Sequence, residues 1–524
     1  MQLKKYILGL ILSCILLLSA CQTRQKINSQ LTEKHSVEKI HKDIDFTYNQ
    51  LKKGHSGVYW YIEKQTLDYK FDSLKKAIQS PLSSLEFYRK LAPLVAAIKC
   101  GHTRLAMPAK IYTSKEKLAR AKQINPLQQL NFKVFDEKLY VSGLNHSLNL
   151  IKKGDQVLAI EGESVTTIFT NLTSVFASDG YNQTFKYAVL NRSFANLYAQ
   201  VYGIPNKLHY TLKRGDSVHY ISLQTITKSD TSSKLSPSNK LVVKKPDADS
   251  LARLKAEKKL KKSQRYKGLD EKKQPLLDFK FLDTSKSIAY MKVKSFSFPY
   301  ANFSKFYQES FKNLADAKTQ NLILDLRENG GGSLSASKNL FSYLIDSSFN
   351  YIQPSQVARL YNPYIHQKGI FNWIKAFNYY FDRRRATEQE GLDAYQLNFD
   401  GIEKQAPKKD NYKGNLYVLI NGYSFSATSL IASNLKAKRQ VIFVGQETGG
   451  ANNGCVAGHI PTLILPHSGL KLNMGLYPIK PAIREANYGR GIFPDVWISP
   501  NYIDYSENRD PEMNWILNDI LLKN

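Results

Sequence analysis

From Thr32 to Leu105 apolar residues recur at helical spacing, as in Leu51, Leu67, Tyr69, Phe71 and Leu74, then Leu85, Phe87, Leu91, Leu94 and Ile98. Such spacing lines side chains along one helical face, so residues 32–105 are expected to form a small helical N-terminal domain. Its last helix is expected to start at Ser83 or Ser84, because a serine oxygen can accept an amide left unpaired at a helix start. That helix runs into Cys100-Gly101-His102-Thr103. The glycine lets the chain leave the helix, and His102 opens a loop.

From about Pro126 to Thr225 the pattern changes to short strands, expected over Leu130–Val134, Leu139–Ser142, Gln156–Ile160 and Leu208–Leu212. Within it, Leu150-Ile-Lys-Lys-Gly154-Asp155-Gln-Val-Leu-Ala-Ile160-Glu-Gly162 resembles a PDZ domain, in which a turn glycine and an aspartate introduce a buried strand. Residues 126–225 are therefore expected to be a PDZ-like, β-rich domain, a module that adds an extended peptide to a sheet edge. A packing module that gates a site fits the same residues. Residues 226–275 are Lys-, Ser- and Asp-rich and are expected to be a solvated basic linker or insertion.

Beyond residue 276 strands and helices alternate. Strands are expected at Ser287–Val293, Asn321–Leu326, Asn415–Ile420 and Val441–Val444; helices are expected at Phe303–Ala317, Ser333–Leu344 and Ser426–Leu435. This succession implies an α/β layer structure with parallel strands, a core over 276–505, and a terminal helix over 506–524. The aromatic-rich stretch 361–400 interrupts the rhythm and reads as an insertion covering a site.

The 524 residues, 42% hydrophobic and 23% charged, suffice for a multidomain globular protein. A net charge of +30 would attract polyanions, but much of the excess falls in 228–273 and no nucleic-acid motif accompanies it. No nucleic-acid partner is expected. The opening MQLKKYILGLILSCILLLSAC has two lysines, an apolar run shorter than the ~20 residues that span a bilayer, and small residues before Cys21. Leu-Ser-Ala-Cys resembles a bacterial lipobox. It implies a lipoprotein signal peptide over 1–20, lipidation of Cys21, a polar tether over 21–31 and a membrane-anchored body facing the periplasm. Gln22 favours the outer membrane by analogy with sorting rules. Of four cysteines, Cys100 and Cys455 remain for the folded part, where a disulfide between them would need a geometry that sequence does not supply. Ten scattered histidines give no zinc-ligand spacing, so neither a metal nor a cofactor is expected.

Two stretches carry the chemistry. In Leu419-Ile-Asn-Gly-Tyr-Ser424-Phe-Ser426-Ala427-Thr-Ser-Leu430 a serine stands where a strand gives way to a helix, whose free N–H groups stabilise a developing anion. Simple helix capping accounts for the same serine. In Asn321-Leu-Ile-Leu-Asp325-Leu-Arg327-Glu-Asn329-Gly330-Gly331-Gly332 a buried strand meets three glycines, which let backbone approach a ligand closely. With Val444-Gly445-x-Glu447-Thr-Gly-Gly450 and Gly489-Arg-Gly491-Ile-Phe-Pro494-Asp495, the order of motifs resembles the C-terminal-processing (tail-specific) peptidases, in particular their tricorn-core-like branch.

That resemblance implies a crotonase-like β-α-β serine-peptidase core and a polypeptide substrate. By position it implies Ser426 as nucleophile, Gly331 and Ala427 as oxyanion-hole amides, and His102 as general base. Tail-specific members use a lysine where Ala451 stands here, and Lys436 and Lys438 lie in or just after the serine's own helix, so a Ser-Lys pair is not supported. An imidazole, with an ordinary pKa of about 6.5, suits transfer of the serine proton. The group that orients it stays open: Gly101 has no hydroxyl, Tyr488 stands where the branch places its acid, and Glu485 and Glu447 are the candidate acids. An inactive peptidase-fold lipoprotein that binds polypeptides or scaffolds an envelope complex is the alternative reading.

Overall fold

The computed structural model describes residues 24–523 except 26, 147, 229–264, 270–273, 298–300, 358–359, 366–369, 382–385, 390–393 and 485–487. The signal segment with Cys21, almost all of the basic linker, and Glu485 lie outside the described residues. Among the described residues no helix is long and apolar enough to cross a membrane.

The core is a six-stranded sheet in the order Leu277–Phe281, Ile288–Val293, Asn321–Asp325, Asn415–Ile420, Ile442–Gly445, Val496–Trp497. The first pair is antiparallel and every later pair parallel, as the strand-helix alternation implies. Successive side chains of a strand point to opposite faces. Leu322, Leu324, Leu416, Val418 and Ile420 accordingly pack with the helices Phe303–Ala317, Leu334–Ser342 and Ala427–Lys438. Ile323, Tyr417 and Leu419 face the terminal helix Pro511–Lys523 through Ile516 and Ile520. Covered on both sides, these strands read as unbroken apolar runs.

A second, antiparallel sheet contains Leu130–Phe135, Lys138–Leu144, Gln156–Ile160, Lys207–Arg214 and Ser217–Gln224, with the short strand Glu163–Ser164 beside it. Asp155 anchors the turn into its central strand, accepting from Lys152 N–H at 2.8 Å and from Arg214 at 2.6 Å. The strand reading of residues 126–225 omits two helices, Val165–Ser174 and Thr184–Tyr202, which pack with this sheet.

The N-terminal helices are Val37–Gly54, Lys64–Ala77 and Ser84–Ala96. Ser83 caps the last of them in a reciprocal box with Glu86. Ser84 instead donates to Ser468 O at 2.8 Å. The fully buried Asp43 accepts the amides of His467 and Ser468, and strand Arg104–Ala106 pairs with Lys471–Asn473. The helices thus share one hydrophobic core with the antiparallel sheet and with residues 456–477. Part of the stretch read as a tether is docked too: residues 27–32 are helical, Asn28 bonds Ile111 and Gln30 O accepts from Ser84. The described part of the insertion packs Tyr361 on Gln50 and Tyr379 on Tyr477.

Buried charge fixes the end of the central strand. Asp325, fully buried, accepts from Tyr290 at 2.7 Å and pairs with Arg327 at 3.0 Å, and Arg327 reaches on to Asp510 at 2.8 Å and Glu512 at 3.2 Å. Burial works against the Asp325 carboxylate, but Arg327 and Lys292 outweigh it and hold its pKa down at about 2. Removing one partner of such a group strands the others without compensation. Arg327→Met is expected to lower the unfolding free energy by about 3–5 kcal/mol, read as a fall in urea midpoint; an unchanged midpoint would show the network to be dispensable.

Candidate active site

The loops that follow strands Asn321–Asp325 and Asn415–Ile420 leave the same edge of the sheet and are stitched together. Leu326 N–H donates to Leu419 O at 3.0 Å, Ser424 Oγ to Leu326 O at 2.9 Å, and Phe425 N–H to Asn329 O at 3.1 Å. Ser426 follows at the head of helix Ala427–Lys438 with φ 59° and ψ −122°, a backbone state that side-chain-bearing residues rarely adopt. Its hydroxyl caps nothing in the helix. Room for this turn comes from Gly331, itself at φ 94°: a Cβ there would lie 2.7 Å from Ser426 Cβ and 2.8 Å from Phe425 O.

His102 Nε2 lies 3.0 Å from Ser426 Oγ. The imidazole is held by a turn in which Thr103 N–H donates to Cys100 O, and the buried Thr103 hydroxyl accepts Gly475 N–H at 3.1 Å. Its ring stacks on Phe425 at 4.7 Å between centroids. Gly101 is required by that stack, because a Cβ would fall 2.6 Å from the Phe425 ring. A serine preceding the histidine has no space here.

The carboxylate that faces the far side of the ring is Asp179, which was not among the sequence candidates. Its Oδ1 accepts Gly101 N–H at 2.8 Å and stands 3.8 Å from His102 Nδ1. Asp179 is buried in a turn held at Gly180, whose N–H donates to Lys99 O and whose Cα carries no room for a side chain against Gly489 O. The only sequence signal was an Asp-Gly turn pair, which is common in loops without any active site. Glu447, one of the expected acids, instead accepts from Arg490 and from Gly491 N–H, at 2.7 Å each, with no contact to His102 among the described hydrogen bonds.

Burial disfavours the charged imidazole of His102, but the buried negative charge beside it, Asp179 and Cys100, outweighs burial and raises the ring's pKa well above its ordinary value. Cys100 shows the converse: burial raises the thiol, yet His55 and His102 bring it below the usual range. Both Cys100 and Cys455 are free thiols.

The two amides expected to form the oxyanion hole, those of Gly331 and Ala427, differ in their partners. Gly331 N–H is already engaged, donating to Asn329 Oδ1 at 2.9 Å. Ala427 N–H and Gly332 N–H have no acceptor among the described residues, and both residues line the cleft at Ser426. That cleft is walled mainly by apolar side chains, including Leu334, Leu430, Ala451 and Ile479. Among the described residues, none of its lining comes from 361–400. Ala451 offers no base, and the two nearby lysines are committed elsewhere, Lys436 to Asp495 at 2.8 Å and Lys438 to Asn350 O at 2.9 Å.

Residues 287–497 match Peptidase family S41. A tail-specific protease of Haemophilus influenzae is 29% identical over 167 residues, which cover 32% of this chain and 18% of that protein. The match spans under a fifth of the relative's length. Among solved structures, mature CPAF is 13% identical with a TM-score of 0.57, over 90% of this chain and 95% of that one. Mature CPAF complexed with lactacystin gives 14% and 0.55, over 90% and 97%. These similarities show a shared fold along nearly the whole chain. Ser426 and the glycine loop fall inside the span that matches Peptidase family S41, with His102 and Asp179 ahead of it.

Proposed function

We propose that the protein is a serine peptidase that cleaves peptide bonds through an acyl-enzyme. The observation that carries this reading is the 3.0 Å contact between His102 Nε2 and Ser426 Oγ at a helix N-terminus. Ser426 attacks the peptide carbonyl while His102 takes its proton and returns it to the leaving amine. Ala427 N–H and Gly332 N–H receive the oxyanion, where the helix dipole adds positive potential. Asp179 acts as a positioning residue for the imidazole. The apolar cleft favours an apolar side chain next to the scissile bond, presented on an unfolded polypeptide that the PDZ-like sheet helps to admit. The body is held at the cell envelope, facing the periplasm, by a lipid on Cys21. Radiolabelled palmitate should be incorporated by the wild type and lost in Cys21→Ser; incorporation that survives the substitution removes the anchor.

A peptidase-fold protein that binds polypeptide without cleaving it draws on the 3.8 Å between His102 and Asp179, wider than a hydrogen bond. A fluorophosphonate probe decides between the two. Wild type should label, Ser426→Ala should not, and His102→Ala should label about 100-fold or more slowly, the scale of general-base catalysis. Absence of labelling in wild type, or equal labelling of all three, refutes the peptidase.

The raised His102 predicts an acid limb of kcat/KM above the ~6.5 of a free imidazole, since the base works only when deprotonated. Asp179→Asn removes the charge that favours the imidazolium, so the limb should move to lower pH by about one unit while the plateau falls. A limb that stays in place would show that Asp179 does not act on the ring.

A further inference from the structure

We infer that Cys100, His102 and Asp179 form a site for a thiophilic divalent cation of the Zn²⁺ class, and that its occupation switches the serine–histidine pair off. The Cys100 Sγ, a His102 ring nitrogen and an Asp179 carboxylate oxygen all lie within 4.8 Å of one another. The cluster is largely buried: Cys100 is 5% exposed, Asp179 2%, and the His102 side chain 8%. It also holds an unusual concentration of unpartnered polar atoms. His102 Nδ1 and Asp179 Oδ2 have no hydrogen-bond partner among the described residues. The same holds for both ring nitrogens of His55, which is 3% exposed and interacts with Cys100.

A buried polar atom without a partner is costly, so His102 Nδ1 and Asp179 Oδ2, both orphaned within one cluster, point to a shared missing partner. The spacing favours a cation over a direct bond. At 3.8 Å, His102 Nδ1 and Asp179 Oδ1 are too far apart to hydrogen-bond. A nitrogen and an oxygen ligand on a tetrahedral zinc, at its usual bond lengths, stand roughly 3.3–3.5 Å apart, so a rotation of a few tenths of an ångström at either side chain seats the ion. The donor set of thiolate, imidazole and carboxylate is that of a borderline-soft metal. Its two negative charges neutralise a divalent ion, which removes the penalty for burying either alone. A water completes the coordination. No ligand-spacing motif could announce the site, because its ligands come from two distant turns.

Coordination uses the Nδ1 lone pair, so in a neutral ring the proton resides on Nε2, and the Cys100 thiol proton is released to solvent. Nε2–H can then only donate to Ser426 Oγ and cannot accept its proton. Cation binding is independent of the peptidase reading, whereas the switch rests on it.

The test uses purified full-length protein. Ser426→Ala, which cannot turn over, should bind one equivalent of Zn²⁺ by calorimetry and, with Co²⁺, show the near-ultraviolet thiolate-to-cobalt charge-transfer band. Introducing Cys100→Ser should abolish the band and weaken Zn²⁺ binding by about 100-fold, the upper range for disturbing a metal site. No charge-transfer band in Ser426→Ala, a measurement that does not need the cysteine variant to fold, overturns the site; so does undiminished Zn²⁺ affinity in a folded Cys100→Ser. In wild type, saturating Zn²⁺ should slow fluorophosphonate labelling at least tenfold and EDTA should restore it. Labelling that proceeds at full rate with Zn²⁺ bound overturns the switch. Wild type that binds Zn²⁺ but never labels overturns the switch through the peptidase reading while leaving the cation site standing.

Discussion

The architecture depends on holding one side-chain-bearing residue, Ser426, at positive φ. Such a conformation costs on the order of 1–3 kcal/mol and persists only where its surroundings over-determine it. Here the hydrogen bonds between the two strand-end loops do so, together with a glycine whose missing side chain lets the backbones touch. The Asp-Leu-Arg-x-Asn-x-Gly-Gly signature thereby acquires a physical division of labour. Asp325 and Arg327 moor the strand end to the terminal helix, while Asn329 shapes the glycine turn by donating to Val293 O and accepting Gly331 N–H.

The imidazole reaches this turn from a segment more than three hundred residues earlier. It can do so because the N-terminal helices are packed into the body and their exit strand pairs with Lys471–Asn473. The closing motif serves the same end. Gly489 O accepts Tyr181 N–H at 2.7 Å, and Glu447 locks Arg490 and Gly491, so the turn carrying Asp179 is braced from behind.

What was legible in the sequence follows from how local each signal is. Asn415–Ile420, Gln156–Ile160 and Phe303–Ala317 match their expected bounds, because buried runs and a clear helical stripe are written in consecutive residues. The helix Thr184–Tyr202 escaped although Leu190, Phe194, Tyr198 and Val201 carry helical spacing. Its β-branched and aromatic content, within a stretch of strands, favoured the wrong period. His102 and Ser426 were found through motif similarity, which encodes distant contacts that periodicity does not. Asp179 carried no comparable mark. Glu447 sat in the right motif but is used by a neighbouring arginine, a pairing that only three dimensions reveal.

Asp179 also ties reactivity to cation sensitivity. A carboxylate buried beside an imidazole stabilises whatever positive charge approaches that ring, whether a proton or a metal ion. The same electrostatic field that makes His102 a stronger base therefore makes its rear face a stronger cation ligand, and no change at Asp179 can alter one without the other. Cys100 breaks the symmetry. Its sulfur favours a thiophilic metal over a proton on the ring and makes no contact with Ser426 among the hydrogen bonds described, its only backbone acceptor being Val456 O at 3.8 Å. Selectivity between the two kinds of positive charge is thus tilted by the sulfur's affinity for the metal, while the charges of Asp179 and Cys100 together set the strength of both.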